Sequence, residues 1–322
     1  MNFDRLWQAY WVMLYDDVDP ARDGAMNSPL LAHYTSLENL ENILSNEQVW
    51  LSNPLFMNDL EEVRFGINAG VDLIYRNDNL REALGAKSRA ALFYDFIDAA
   101  YDTYGRQHVL DLYVMCFSVH DPVDYDGRLS MWRGYGANGK GAALVVDVSS
   151  LEEMEGSPLA LAPVDYASND ERKEKIANKI DKVAAFVRAN EIADNRIGNL
   201  AQALFDRLCV LAIFSKHRGF DEEQEWRLAY FKDRDRKGIL KQFFSYSNGL
   251  HGLHPKLKLE IKPLSGALSE GTELTNIIDR IIIGPSASSP IAKMAGERML
   301  RSLNKEELIE KLHMSSIPFR SG

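Results

Sequence analysis

In Leu30-Leu31-Ala32-His33-Tyr34-Thr35-Ser36-Leu37-Glu38-Asn39-Leu40-Glu41-Asn42-Ile43-Leu44-Ser45 two periodicities meet. Residues 30–35 are apolar and aromatic, with a hydroxyl at the end, which predicts a strand. From residue 36 the apolar positions fall at 37, 40, 43 and 44, the stripe of a helix with Ser36 as N-cap. A second strand, 48–52, follows at once. Further strands are predicted at 110–118, 141–148, 160–166, 226–231, 257–261 and 279–283, each bounded by Gly, Pro, Asn or Asp. Helical spacing fills 58–104 and 170–214, each broken into two or more helices, and two closing helices are expected at 290–303 and 305–312. Strands in groups, parted by helical blocks, do not make the even alternation of a doubly wound sheet. The expected class is α+β: one domain over 1–322, helical insertions at about 58–108 and 170–214, and C-terminal helices over about 290–314.

The 322 residues, 46% hydrophobic and 26% charged, are ample for a core. The net charge of −10 argues against a nonspecific nucleic-acid or membrane surface. The basic runs at 172–182 and 232–241 are expected to be a solvated helix face and a turn. The two cysteines, Cys116 and Cys209, stand in apolar surroundings and read as buried free thiols, suiting a reducing compartment. The first 15 residues lack the features of a signal peptide, and no apolar run approaches a bilayer span, so the expected location is cytoplasmic.

Four short blocks could carry chemistry. His33-Tyr34-Thr35 places neighbouring side chains on opposite faces of a strand; His33 reads either as a ligand contact or as a core histidine bonded to a carbonyl. Trp50-Leu51-Ser52-Asn53-Pro54 ends a strand, and Asn58-Asp59 reads as a helix cap. Cys116-Phe117-Ser118 ends a strand with a hydroxyl. It is followed by Ser130-Met131-Trp132-Arg133-Gly134-Tyr135, a short helix whose Arg133 could hold a phosphate or a neighbouring acid. In Glu222-Glu223-Gln224-Glu225-Trp226-Arg227, Glu223 and Glu225 share a face if the chain is extended there. Two like charges side by side raise one pKa, which suits acid–base work. The alternative is a solvated acidic turn feeding an edge strand.

The order His33-Tyr34-Thr35, Trp50-Leu51-Ser52, Asn58-Asp59, Cys116-Phe117-Ser118, Met131-Trp132, Gly141 and Glu223-x-Glu225-x-Arg227 resembles a bacterial domain-of-unknown-function family scattered among defence-associated loci. It spans about residues 30–230. The same order is remotely similar to the ADP-ribosyltransferase superfamily, in which a first-strand Arg or His grips the NAD ribose, a middle-strand Ser or Tyr shapes the nicotinamide pocket and a late-strand Glu is catalytic. The resemblance implies a mixed or antiparallel split sheet, with NAD as substrate and no metal. It implies Glu225 and Glu223 as catalytic residues, and His33, Tyr34, Thr35, Ser118, Tyr135 and Arg133 as the residues around NAD. The middle motif here is Cys-Phe-Ser, not the superfamily's Ser-Thr-Ser. The implied acceptor is a protein or nucleic acid, with no membrane. The setting is that of a toxin or phage-defence effector with an antitoxin or defence partner.

Other readings stay open. One is a sensor or interaction module that keeps an enzyme-like fold and binds a nucleotide without turnover. A Mg-dependent nuclease would use Glu260 of Glu260-Ile261-Lys262, although that strand alternates and its polar face reads as merely wet. His251-Gly-Leu-His254 and His120-Asp-Pro-Val-Asp124-x-Asp126 lack the spacing of a zinc site. The glycines at 134, 136, 139 and 141 precede a strand, so they are not a phosphate loop.

Overall fold

The structure is a computed structural model. It describes the chain except residues 1–2, 19–28, 58–59, 107–110, 150, 152–153, 155, 250–251 and 320–322. Helix and strand are mixed, and the main sheet is open and mixed in direction, which places the chain in the α+β class. The chain forms two compact units. One comprises Met1–Pro20, Pro54–Asp111 and Val164–Asp221; the other comprises Ala21–Asn53, Leu112–Pro163 and Glu222–Gly322.

The sheet unit opens with β1 (Leu30–Thr35) and continues through the helix Leu37–Asn46 to β2 (Gln48–Ser52). Ser36 caps that helix by accepting from Asn39 N. Then come β3 (Leu112–His120), a short helix Leu129–Gly134, β4 (Ala142–Val146) and β5 (Leu159–Pro163). With β6 (Asp165–Ala167) and β7 (Ser215–His217) left to the helical unit, the sheet resumes at β8 (Glu225–Phe231), β9 (Phe244–Gly249), β10 (Gly252–Glu260) and β11 (Ile278–Ile283), and ends with β12 (Leu312–Met314). Ten of these strands form one sheet, ordered β12-β11-β4-β1-β3-β2-β10-β9, with β8 on β3 and β5 on β8. Among the described residues only β11–β12 is parallel in it.

The sheet forks at β3. One edge of β3 carries β8 along Leu112–Ser118. The other is divided: Ser118, Val119 and His120 pair with β1, whereas Val114 pairs with Ser52 of β2. Registered neighbours share a face. Leu31, Met115, Trp226, Leu144 and Leu257 therefore lie on one face, in the main core. Ala32, Tyr34, Ala143 and Val145 lie on the other, under Met131 and Trp132 of the short helix. Gly141 lets β4 approach β1: a Cβ there would stand 2.0 Å from Thr35 O.

The helical unit has α1 (Phe3–Leu14), then Leu60–Arg76, Asp78–Leu84 and Lys87–Arg106, and later Asn169–Ala189 and Ile197–Ile213. Their apolar stripes meet in a core of their own, with Ile67, Phe93, Ile180, Val183 and Leu204 buried. The parallel pair β6–β7 belongs here.

Several expectations need correction. The run 172–182 is not wholly solvated. Arg172 is buried against Glu62 and Ser215, and Lys179 is buried against Asp16 and Asp17. Residues 305–312 are one 3-10 turn, Glu306–Leu308, leading into β12 instead of a closing helix; the helix before them is Pro290–Ser302. Neither cysteine is in a disulfide, and both are half-buried, not buried. No helix among the described residues is long and apolar enough to cross a membrane.

Candidate functional site

The acidic stretch is a tightly held turn. Residues 218–223 form 3-10 turns, and Gln224 has a left-handed φ of 43°. That conformation costs a non-glycine residue energy, so surrounding bonds must hold it. Three successive carbonyls of the turn are each satisfied by a different donor. Arg128 donates from one guanidinium nitrogen to Glu222 O, the Ser118 hydroxyl donates to Glu223 O at 2.6 Å, and Val119 N donates to Gln224 O at 3.0 Å. The other terminal nitrogen of Arg128 donates to Gln224 Oε1 at 2.7 Å. The turn feeds β8, which is paired on both sides, so the reading as a turn entering an edge strand fails.

This geometry separates the two acids. Because Glu223 ends the turn and Gln224 is left-handed, the alternation that would set Glu223 beside Glu225 does not apply. Glu225 lies directly opposite Ser118. Its carboxylate takes two bonds from Arg227, at 2.7 and 3.1 Å, and the two side chains are 4% and 1% exposed. Two residues apart on an extended strand, they project to one face, and the fork-on-fork pair neutralises both charges where either alone would be costly. Glu223 instead accepts from the Tyr135 hydroxyl at 2.9 Å, and Tyr135 is 44% exposed.

Ser118, Glu225, Arg227 and Tyr34 share the face under Trp132. Tyr34 is buried there, with its ring edge-on to Trp132 at 4.8 Å, and its hydroxyl accepts from Arg128 N at 2.9 Å. Burial and the nearby Asp124 push the Tyr34 pKa up. The ring is thus committed to packing and is not presented for stacking on a ligand. The structure does not bring His33 or Thr35 to this face: both lie on the main-core side. Nδ1–H of His33 donates to Cys116 O at 3.0 Å, across the fork where β1 has parted from β3. Burial lowers the His33 pKa, favouring the neutral ring. Thr35 accepts from Asn39 Nδ2. Arg133 is exposed, with its guanidinium 5.3 Å from the Phe319 ring centroid.

Arg128 is the site residue that sequence reading missed. It follows an Asp126-Gly127 turn and carries no motif of its own; only folding reveals that it reaches residues 222 and 224. Asn58-Asp59 and His251 lie outside the described residues. Glu260 is paired with Lys262, and among the described residues no group of three or more His, Cys, Asp or Glu is placed to hold a metal ion. In the glycine run, Gly139 N and Gly141 N both donate to Gly136 O, so these amides serve the loop itself.

No curated protein and no solved structure matches the chain. Residues 131–228, from the short helix carrying Trp132 to Leu228 of β8, match the family described as "Protein of unknown function (DUF2971)", a segment that includes Trp132, Tyr135, Glu223, Glu225 and Arg227 but not Tyr34, Ser118 or Arg128.

Proposed function

We propose that the Glu222–Glu225 turn, with Ser118 and Arg128 holding its backbone, binds NAD, and that the protein is an ADP-ribosyltransferase-like enzyme acting on a macromolecular acceptor. The observation that carries this reading is the strand arrangement. The three strands bearing His33, Ser118 and Glu225 lie side by side as β1-β3-β8, with Ser118 in register with Glu225 and Glu223 fixed two residues upstream. His33 supports the fork and does not contact the ligand in this account.

The chemistry follows from the charges. When the nicotinamide–ribose C–N bond breaks, the electron pair leaves with nicotinamide and positive charge builds on the sugar. A nearby carboxylate stabilises that charge. The acceptor oxygen or nitrogen, or water in NAD hydrolysis, then bonds to the sugar carbon and gives up its proton. Glu223 takes the proton in this account, because Glu225 is neutralised by Arg227 and Glu223 sits beside an exposed hydroxyl. Ser118 and Arg128 set the carboxylate by holding its backbone.

A second reading, nucleotide binding without turnover, is favoured by one observation: the Glu225 carboxylate is already engaged by Arg227 in a buried pair. The two are told apart by supplying NAD labelled in its adenylate half, with cell lysate as acceptor source, and measuring binding by calorimetry in parallel. The enzyme reading predicts label in a macromolecule, lost in Glu223→Gln. Binding with neither transfer nor nicotinamide release would replace it with the sensor reading, and no binding would sink both.

A further inference from the structure

The face of β2, β10 and β9 turned away from the main core carries a cation that no acid answers among the described residues. Val49, Leu51, Leu257 and Leu259 of these strands point into the main core, so the alternate residues lie on the opposite face. Register sets Ser52 opposite Lys256 and Lys256 opposite Ser245, giving a row of hydroxyl, ammonium and hydroxyl across three strands. Lys256 Nζ donates to Ser52 Oγ at 2.6 Å. Lys256 is half-buried and forms no ion pair among the described residues. Burial lowers its pKa.

The other titratable groups on this face of β10 are His254, Lys258 and Glu260. Glu260 is held by Lys262, and Lys258 Nζ lies 4.2 Å from the Trp50 ring centroid. Partly desolvating an ammonium without an anion costs stability, so the arrangement has a ligand-shaped gap in its charge balance. An ammonium has three donors, and Ser52 engages one. Because Ser52 accepts from the lysine, its own O–H remains able to donate to an anionic oxygen.

We propose that Lys256, flanked by the Ser52 and Ser245 hydroxyls, binds the phosphate group of a small-molecule ligand. The proposal does not rest on NAD chemistry at Glu223. The test titrates inorganic phosphate, pyrophosphate and NAD separately into the full chain, following phosphorus NMR shifts, in wild type and in Lys256→Met, Lys256→Arg, Ser52→Ala and Lys258→Met. Expected are saturable phosphate binding, weakened roughly tenfold to a hundredfold in Lys256→Met, retained in Lys256→Arg and Lys258→Met, and weakened less in Ser52→Ala. Displacement of phosphate by NAD identifies a nucleotide phosphate as the ligand; persistence in its presence identifies a free anion. Equal binding by wild type and a folded Lys256→Met, or no saturable binding by any of the three probes, would overturn the proposal. Repeating the titration in Glu223→Gln keeps it separate from the transferase reading.

Discussion

At the residue scale, the buried Glu225–Arg227 pair dominates the site's energetics. Replacing Glu225 by Gln leaves a charged guanidinium in a place that is 1% exposed. A loss of about 3 kcal/mol is expected on denaturant unfolding, and Glu225→Gln combined with Arg227→Met should recover much of it, because the buried guanidinium that lost its Glu225 partner is then gone. A double variant no more stable than Glu225→Gln would show that the pair is not what costs. Arg128 makes a comparable prediction. Arg128→Ala removes donors to Glu222 O and Gln224 Oε1 and releases a left-handed residue, so about 1.5–3 kcal/mol should be lost. The acids themselves were legible in the sequence. Their partners were not, because Glu225 meets Arg227 only on an extended strand and Glu223 is turned away by one φ angle.

At the element scale, the strands with dense β-branched or aromatic content declared themselves. β1 and β2 run over the residues their alternation predicts, 30–35 and 48–52. β9 escaped notice because Phe-Ser-Tyr-Ser-Asn-Gly is poor in branched residues and takes its conformation from pairing with β10. The 305–312 segment read as helix because its acids and leucines fit that period, but it makes one 3-10 turn and delivers the chain to β12, which pairs with β11 from Leu312 onward. The closest approach between elements is testable: Gly141→Ala drives a methyl to 2.0 Å from Thr35 O, so β4 and β1 must part. A destabilisation of about 3 kcal/mol or more is expected by thermal or denaturant unfolding. Little change would mean that this junction yields easily.

At the scale of the whole molecule, composition and periodicity led correctly to the mixed α+β class, with helical spacing read over two long blocks. They did not reveal that those blocks share a core with α1. The forked sheet is equally invisible to local pattern, since it depends on which strands share the edge of β3. Burial lowers the pKa of His33, His120 and His313. Each favours the neutral ring in the folded state, so the unfolded chain binds more protons as pH falls. Their contribution is fully present above the ordinary histidine value of about 6.5 and is lost as pH falls through the lowered folded values. Melting temperature should therefore hold level above about pH 7 and decline below about 6.5. Removing the buried rings singly should flatten that decline, and an unchanged slope in all three variants would locate it elsewhere.

The most direct test of the NAD reading is the rate of nicotinamide release by purified protein under single-turnover conditions, wild type beside Glu223→Gln, with circular dichroism confirming the fold of both. Glu223 acting as the proton acceptor predicts release by wild type and a loss of roughly a hundredfold or more in the variant. Release at the wild-type rate from Glu223→Gln would contradict its assigned role, and no release from wild type in the presence of acceptor would contradict the enzyme itself.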